Sequence, residues 1–502
     1  MDSKIDLMPS AKNQYIAAIV MNIIVFCHGC AIGWVSPSLA LLSGPDTPLD
    51  EPLTSDQAAL VGSLICVGAI PFTSMFGWIA DRYGRKTAAI ACAFPYLACW
   101  LLKLLWRTAT GLMVARFLGG VAASGLFMLS PLYASEVASI HTRGALSSLM
   151  VFSINIGIVF MYVLGAYASY TTVLAVMIPL PVIFVLLMLR MPETPSFLVK
   201  KNRLDEAVKA LSWLRGLPVD CGMIKKELDS LKSEVELAKN TSVDSHFIVN
   251  DSASDDMGNA ASGLENVPSW KIFISSVPTR RAFGVICTLL TIQCFMGLFA
   301  VITYSNDIFA RAGSSLSPST SSTIVGLLQF FGSVVASSLI ERLGRKVLLT
   351  SSCLAVSLSM AAMGTFFFLS DSGMDVSSIS WIPILALSVA VCTFAMGAGP
   401  VPYCLTSEVF MIQTRGIATS ILLTWVWVAS FIIAQFFGSA VILIGIGSVF
   451  WFFALAGFGG IIITIFFLPE TKGRTMNEIL EYFDSDKSRK ITGKSSETGE
   501  LL

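Results

Sequence analysis

Charge is scarce in this sequence. Asp, Glu, Lys and Arg make up 13% of its 502 residues, against about 25% in an average soluble domain. So few charges cannot cover a water-facing surface on a chain this long, so lipid must replace water over much of it. A basic excess is lacking too: 33 Lys and Arg balance 33 Asp and Glu, which argues against nucleic acid as a partner. A cleavable leader is not evident. The first apolar run, from about Tyr15 to Leu42, is too long for a signal-peptide core and lacks a small-residue cleavage pattern. Cysteine is not scarce, but ten of the eleven lie in or near apolar runs and only Cys221 sits in a polar stretch. They read as small buried hydrophobes. Cys27-His28-Gly29-Cys30 lacks the His that haem attachment requires after the second Cys. No disulfide framework, metal site or cofactor is expected. No nucleophile–base constellation or phosphate-cradling loop supports an enzyme.

What the chain does have is duplication. Asp81-Arg82-Tyr83-Gly84-Arg85-Lys86 returns as Glu341-Arg342-Leu343-Gly344-Arg345-Lys346. Ser135-Glu136, followed by Thr142-Arg143-Gly144, returns as Ser407-Glu408, followed by Thr414-Arg415-Gly416. Pro192-Glu193-Thr194 returns as Pro469-Glu470-Thr471. Motifs repeated in the same order between apolar runs predict two parallel half-repeats in a membrane.

A span needs about 20 residues. Six runs precede the centre, at about 15–38, 57–80, 87–106, 110–134, 145–168 and 171–191. Six follow it, at about 281–310, 320–340, 347–370, 381–406, 416–440 and 446–468. The expected fold is therefore all-α and polytopic, with twelve transmembrane helices in two pseudo-symmetric six-helix bundles. The expected domains are a short N-terminus (1–14), a first bundle (15–191), a helical linker (192–280), a second bundle (281–468) and a tail (469–502). Within the linker, residues 240–266 turn polar and are expected to be disordered. Lys and Arg crowd the even-numbered loops, while the loop after span 1 carries Asp46, Asp50, Glu51 and Asp56. Even-numbered loops and both termini are therefore expected in the cytoplasm. The closing Glu497-Thr498-Gly499-Glu500-Leu501-Leu502 has an acidic-dileucine pattern that a sorting adaptor would read.

The repeated charges suggest a gate. Asp81, Arg82, Arg85, Glu136, Arg143 and Glu193 in the first half face their counterparts Glu341, Arg345, Glu408, Arg415 and Glu470 at matching positions of the second. If such charges pair across the halves they stabilise one conformer, and breaking them lets the halves rock apart.

At these residues the chain resembles the sugar-porter (glucose-transporter) family of the major facilitator superfamily. Carrying the resemblance are Gly77-x-x-x-Asp81-Arg82-x-Gly84-Arg85-Lys86, Arg116-x-x-x-Gly120, Pro192-Glu193-Thr194-Pro195 and Pro469-Glu470-Thr471-Lys472-Gly473-Arg474. Gly33-Trp34-Val35-Ser36-Pro37 and Trp213-Leu214-Arg215-Gly216 are most similar to insect facilitated trehalose transporters and endosomal glucose-transporter relatives. The resemblance implies the major facilitator fold, a midplane cavity between the halves, a cytoplasmic helical domain and alternating access.

At the substrate positions the chain departs from the family pattern. Val151 stands where members usually carry Gln, with Asn155 nearby. In span 7, Gln293 keeps one of two family glutamines, followed by Cys294 and Phe299. Gln329 stands where span 8 usually has Asn, Tyr403 replaces a Trp, and Val426-Trp427 replaces Asn-Trp. A sugar hydroxyl stripped of water without a partner costs about 1–3 kcal/mol. Asn155, Gln329, Thr303, Tyr304 and Thr424 are the groups available to compensate, while Phe299, Tyr403 and Trp427 suit the apolar face of a pyranose. The candidate substrate-binding set is thus Gln293, Gln329, Trp427, Tyr403, Asn155, Phe299 and Tyr304.

Span 1 carries no Asp or Glu, the residue that proton-coupled relatives place there, and His28 is its titratable group of note. The expected function is facilitated, uniport transport of a sugar such as trehalose or a hexose, at the plasma membrane or an endosomal or lysosomal one. Two alternatives stay open: a carrier of a less polar solute, suggested by Val151, Cys294, Phe299 and Val426, and a transport-inactive sensor.

Overall fold

The computed structural model describes residues 10–139, 141–249, 269–313, 316–410, 412–472, 474 and 476–483. Its twelve spans are Lys12–Leu42, Ser55–Tyr83, Arg85–Leu105, Ala109–Val137, Arg143–Tyr167, Tyr170–Arg190, Val277–Ala312, Pro318–Ala336, Arg345–Asp371, Ser377–Thr406, Thr414–Ile444 and Ile446–Phe467. They are numbered 1 to 12 below. An even number of spans puts the start of span 1 and the end of span 12 on one side. That side carries the repeated ionic motifs and is here the charged face; the other is the opposite face.

Local chemistry sets the helix ends. Thr54 starts span 2 with a reciprocal cap: its hydroxyl accepts from the Gln57 N–H, and the Gln57 amide oxygen accepts from the Thr54 N–H. Thr108, Ser169, Ser276 and Ser317 cap spans 4, 6, 7 and 8 in the same sense. At the charged face the tight turns before spans 3 and 9 pass through Gly84 and Gly344, at φ 107° and 85°, a region open to glycine.

Several spans are broken. Span 1 divides at Trp34 into Lys12–Gly33 and Val35–Leu42. Span 7 divides into Val277–Phe295 and Leu298–Ala312 around Gly297, and bends again at Tyr304. Span 10 divides into Ile382–Met396 and Val401–Val409 around the Gly397–Pro400 run. Proline and glycine disrupt the helical ladder around Gly33–Pro37, Gly297 and Gly397–Pro400; neither stands at the Tyr304 bend.

Each half has its own core. The first is built around Trp34, Phe76, Tyr96, Trp100, Tyr133 and Phe184. The second is built around Phe309, Phe366, Phe367, Phe410, Phe450 and Phe453. Spans 2 and 4 approach to backbone contact, because a Cβ at Gly68 or Gly120 would lie 2.0 Å from a carbonyl of the facing helix. Between the halves, span 5 packs on span 8 and span 2 on span 11.

The linker helices Pro195–Lys200, Leu204–Arg215 and Gly222–Val249 share a small core including Phe197, Leu211 and Ile224. The last of them is helical through Val249, past the point where composition predicts disorder; residues 250–266 lie outside the described residues. Buried Arg215 pairs with Glu227 and donates to the Val137 carbonyl at the end of span 4 (2.9 Å). These helices are thereby tied to the first half. The helix Met476–Phe483 packs Ile479 and Phe483 into the core of the second half, and the Phe483 carbonyl accepts from Arg281. The acidic-dileucine end lies outside the described residues.

Candidate functional site

The two ionic clasps of the charged face repeat one another almost atom for atom. Arg85 is the first helical residue after Gly84. Its Nε donates to both oxygens of Glu136 (3.1 Å each), and its Nη2 donates to Oε1 (2.9 Å). Its Nη1 donates to the Asp81 carboxylate and to the Ala80 carbonyl. Glu193 accepts from the backbone N–H groups of Arg85 and Lys86, capping span 3 with its carboxylate. In the second half Arg345 donates to Glu408 through Nε (3.1 Å) and Nη2 (2.8 Å). Glu470 accepts from the N–H groups of Arg345 and Lys346, and Thr471 donates to Glu408. Anions at helix N-termini and charge-assisted bonds are among the stronger polar contacts available. A Cβ at Gly84 would lie 2.1 Å from the Glu193 carboxylate, and one at Gly344 2.7 Å from that of Glu470. Glycine is therefore required by conformation and by space.

Burial separates the two clasps. Side-chain exposure is 9% and 12% for Arg85 and Glu136, against 20% and 25% for Arg345 and Glu408. Burial pushes Glu193 above the ordinary carboxylate range; the N–H groups of Thr194, Lys86 and Arg85 oppose it without cancelling it. Burial also acts to raise Glu470, but there the N–H groups of Lys472, Arg345, Lys346 and Thr471 outweigh it, and the net shift is downward.

The remaining gate candidates are less engaged. Arg82 lies over the rings of Trp78 and Tyr83. Arg143 is exposed and forms no ion pair among the described residues. Arg415 is half-buried and donates to the Phe410 carbonyl. The Glu341 side chain lies outside the described residues. The sequence leaves open whether these charges pair across the halves; among the described residues the ion pairs on this face lie within one half or tie the linker to the first half (Lys200 to Asp81), and none joins the two halves.

Among the described residues, the hydrogen bonds between the halves lie at mid-depth and toward the opposite face. At mid-depth the Gln329 amide donates to Asn155 (3.1 Å), joining spans 8 and 5. Trp427 packs edge-on against Phe127 of the first half, with ring centres 5.4 Å apart. It shares a cluster with Ile65, Cys66, Ala123 and Phe299. Gln293 donates to the Gly399 carbonyl at the break in span 10 (2.9 Å), and its other amide atom, Oε1, is buried with no partner among the described residues. The structure thus brings Phe299 and Trp427 into one cluster and joins Asn155 to Gln329. Tyr403 packs against the core of the second half. Tyr304 sits apart, at the second bend of span 7, stacked on Phe437 and donating to the Ala434 carbonyl.

Toward the opposite face a set of small polar groups closes the seam. Ser36 and Ser305 hydroxyls lie 2.8 Å apart, and the Asn306 N–H donates to Ser36 (3.0 Å). Tyr162 donates to the Ile302 carbonyl (2.9 Å), and Ser63 donates to Gln435 (2.6 Å). Glycines permit the approach: a Cβ at Gly62 would meet Tyr304 and Thr303 at 3.2 and 3.3 Å, and one at Gly326 would meet Tyr162 at 3.2 Å. Sequence reasoning missed this set. The available signal was polar residues interrupting apolar runs, Ser36 before Pro37 and the Ser305-Asn306 pair.

Two buried polar groups hold the first half together. Arg116 is 2% exposed and donates to the carbonyls of Val61 (2.8 Å), Ala31 (2.7 Å) and Gly62 (3.3 Å), tying spans 1, 2 and 4. His28 Nδ1 lies 2.6 Å from the Tyr96 hydroxyl, with Nε2 buried and without a partner among the described residues.

Two six-helix halves with duplicated clasps and a seam of amides and aromatic rings define a membrane transporter of the major facilitator superfamily. The chain belongs to the sugar transporter family: the model described as Sugar (and other) transporter matches residues 17–483. The chain is 33% identical over 477 residues to the facilitated trehalose transporter Tret1 of Polypedilum vanderplanki, covering 93% of this chain and 87% of that one. It is 30% identical to Tret1 of Apis mellifera ligustica over 470 residues, covering 94% and 88%. Among solved structures, the inward-open xylose transporter XylE from E. coli superposes with a TM-score of 0.70 at 19% identity, covering 93% of this chain and 99% of that one. A partially occluded inward-open form of XylE gives 0.69, covering 92% and 100%. The chain is thus a multi-pass membrane protein related to sugar transporters.

Proposed function

We propose that this protein carries a sugar, trehalose or a hexose, down its gradient by alternating access. The observation that carries the reading is the distribution of contacts. Ser36, Ser63, Tyr162, Ser305 and Asn306 hold the halves together toward the opposite face, while the ionic clasps of the charged face are satisfied within each half. That arrangement suits a conformer sealed on one side and free to part on the other. Gln293, Asn155 and Gln329 supply amides for sugar hydroxyls, and Phe299, Tyr403 and Trp427 supply ring surface. The charged face, with both termini, is the cytoplasmic one by its Lys and Arg, and the plasma membrane is the favoured site, with endosomal or lysosomal membrane as the alternative.

Uniport is favoured over proton coupling. Span 1 has no carboxylate, and buried Arg116 is held by backbone carbonyls. Both features support uniport, and His28, the titratable group of span 1, is buried beside the Tyr96 hydroxyl.

One observation favours a second reading, a less polar solute. Asn155 and Gln329 bond each other, and Gln293 bonds Gly399, so these amides are already partly satisfied. Uptake of radiolabelled trehalose, glucose and a polyol panel into proteoliposomes, with internal pH recorded, tests all of this. Saturable uptake of trehalose or glucose without a pH change supports the proposal. Sugar-driven acidification overturns uniport. Rejection of every polyhydroxylated solute leaves the less polar solute or, if no compound stabilises the protein, the sensor.

A further inference from the structure

Lys103 lies in the last turn of span 3, near the opposite face, and is fully buried at 0% exposure. Its Nζ finds no hydrogen-bond partner among the described residues. It sits instead between two indole rings, 3.6 Å from the centre of Trp34 and 4.0 Å from that of Trp100. A buried ammonium without an acceptor forfeits its hydration, and two indole faces offset part of that loss through their negative potential, most strongly when water is excluded. The sandwich is itself braced. Trp100 Nε1 donates to the Cys27 thiol (3.2 Å), and the Tyr170 hydroxyl donates to the Lys103 carbonyl (3.0 Å).

The position of Trp34 gives this cluster its consequence. Trp34 is the junction between the two pieces of span 1. Two residues further on, Ser36 makes the contacts to Ser305 and Asn306 that join the halves. Fixing Trp34 fixes the direction in which the short piece Val35–Leu42 leaves the break.

We propose that Lys103 is a positioning residue for the seam at the opposite face, acting through the Trp34 ring to hold Ser36 where Ser305 and Asn306 meet it. The inference rests on the alternating-access reading. The Ser36 contacts form only when the halves are closed on this side. Ordering Val35–Leu42 beforehand removes that entropic cost from closure and so favours the closed state. Trp34 keeps helical backbone angles (φ −60°, ψ −31°), its N–H on the Cys30 carbonyl and its carbonyl on the Ser38 N–H, so without the cation the helix bends more easily about the one bond missing at Pro37, and closure has to realign the segment each time.

The test uses the full chain in liposomes, with bio-orthogonal spin labels at Asp56 and Leu316, exposed positions of different halves on the opposite face. The distance distribution between them reports closure. Lys103→Met is expected to raise the open population about tenfold, the scale of a desolvated cation–π contact. Stepwise fluorination of Trp34 drains electron density from the ring with little change of shape, and the open population is expected to rise with each fluorine. A wild-type distribution in Lys103→Met, or indifference to fluorination, overturns the inference and leaves the transport reading intact. Should Lys103→Met fail to fold, the fluorinated series decides alone. A wild-type protein whose label distance never divides into two populations, with or without trehalose or glucose, overturns alternating access itself and this inference with it.

Discussion

Glu193 and Glu470 occupy the same place in the two halves and differ in their proton affinity. Both cap a helix with a carboxylate, but Glu193 is raised by burial and Glu470 is lowered by the N–H groups around it. The signs have opposite consequences for stability. A raised carboxylate favours the folded state at low pH, and that contribution is lost as pH rises through its folded value. A lowered one contributes above the ordinary glutamate value, about 4.3, and the contribution is lost as pH falls through the folded value. On acidification from neutrality, Glu193 is therefore expected to protonate above that value and Glu470 below it. Carbon-13 NMR of labelled glutamate, assigned with Glu193→Gln and Glu470→Gln, checks the order. At the seam, Gln293→Ala and Trp427→Ala are each expected to weaken substrate binding about tenfold, the loss of roughly one buried polar or ring contact. Surface expression should stay near that of the wild type, and binding measured on purified protein separates the two effects.

At the scale of elements, the turns before spans 3 and 9 are the most constrained pieces of chain. Gly84 combines φ 107° with a carboxylate oxygen where a Cβ would fall. Gly84→Ala is expected to cost about 1–3 kcal/mol and to lower the thermal midpoint, with Gly77→Ala as the contrast. A Cβ at Gly77 meets the Met128 thioether at 3.4 Å, an ordinary contact. The G-x-x-x-D-R-x-G-R-K pattern made this turn legible from sequence, because glycine beside alternating charge has few other uses. Broken spans were legible in the same way where Gly and Pro cluster, as in Gly397–Pro402. The division at Trp34 carries the same signal, since Gly33 ends the first piece and Pro37 has no N–H to give the Gly33 carbonyl.

For the whole molecule, the question is which contacts belong to one conformer. Gly62 and Gly326 lie against the other half at the opposite face, a contact that the alternating-access proposal assigns to one conformer. Gly62→Leu is expected to obstruct closure there and cut turnover at least tenfold while leaving each half folded; uptake assays together with label accessibility at the opposite face check it. Arg143 is unpaired here among the described residues, and the alternating-access proposal has it meet the second half when the charged face closes. Arg143→Ala is therefore expected to slow turnover with little change in thermal stability of the conformer described.

Hydropathy and repetition by themselves determined that the chain crosses a bilayer twelve times in two related halves, since apolar length and charge placement are properties of the sequence that lipid reads directly. They also identified Arg85, Glu136, Glu193, Arg345, Glu408 and Glu470 as one duplicated device. Only the tertiary structure decided that none of the ion pairs described on this face joins the two halves, that Asn155 bonds Gln329, and that Lys103 rests between Trp34 and Trp100. Those choices depend on which helix faces meet in three dimensions. Residues 68 and 69 positions apart, such as His28 and Tyr96 or Trp34 and Lys103, carry no mark in the sequence of the packing that joins them.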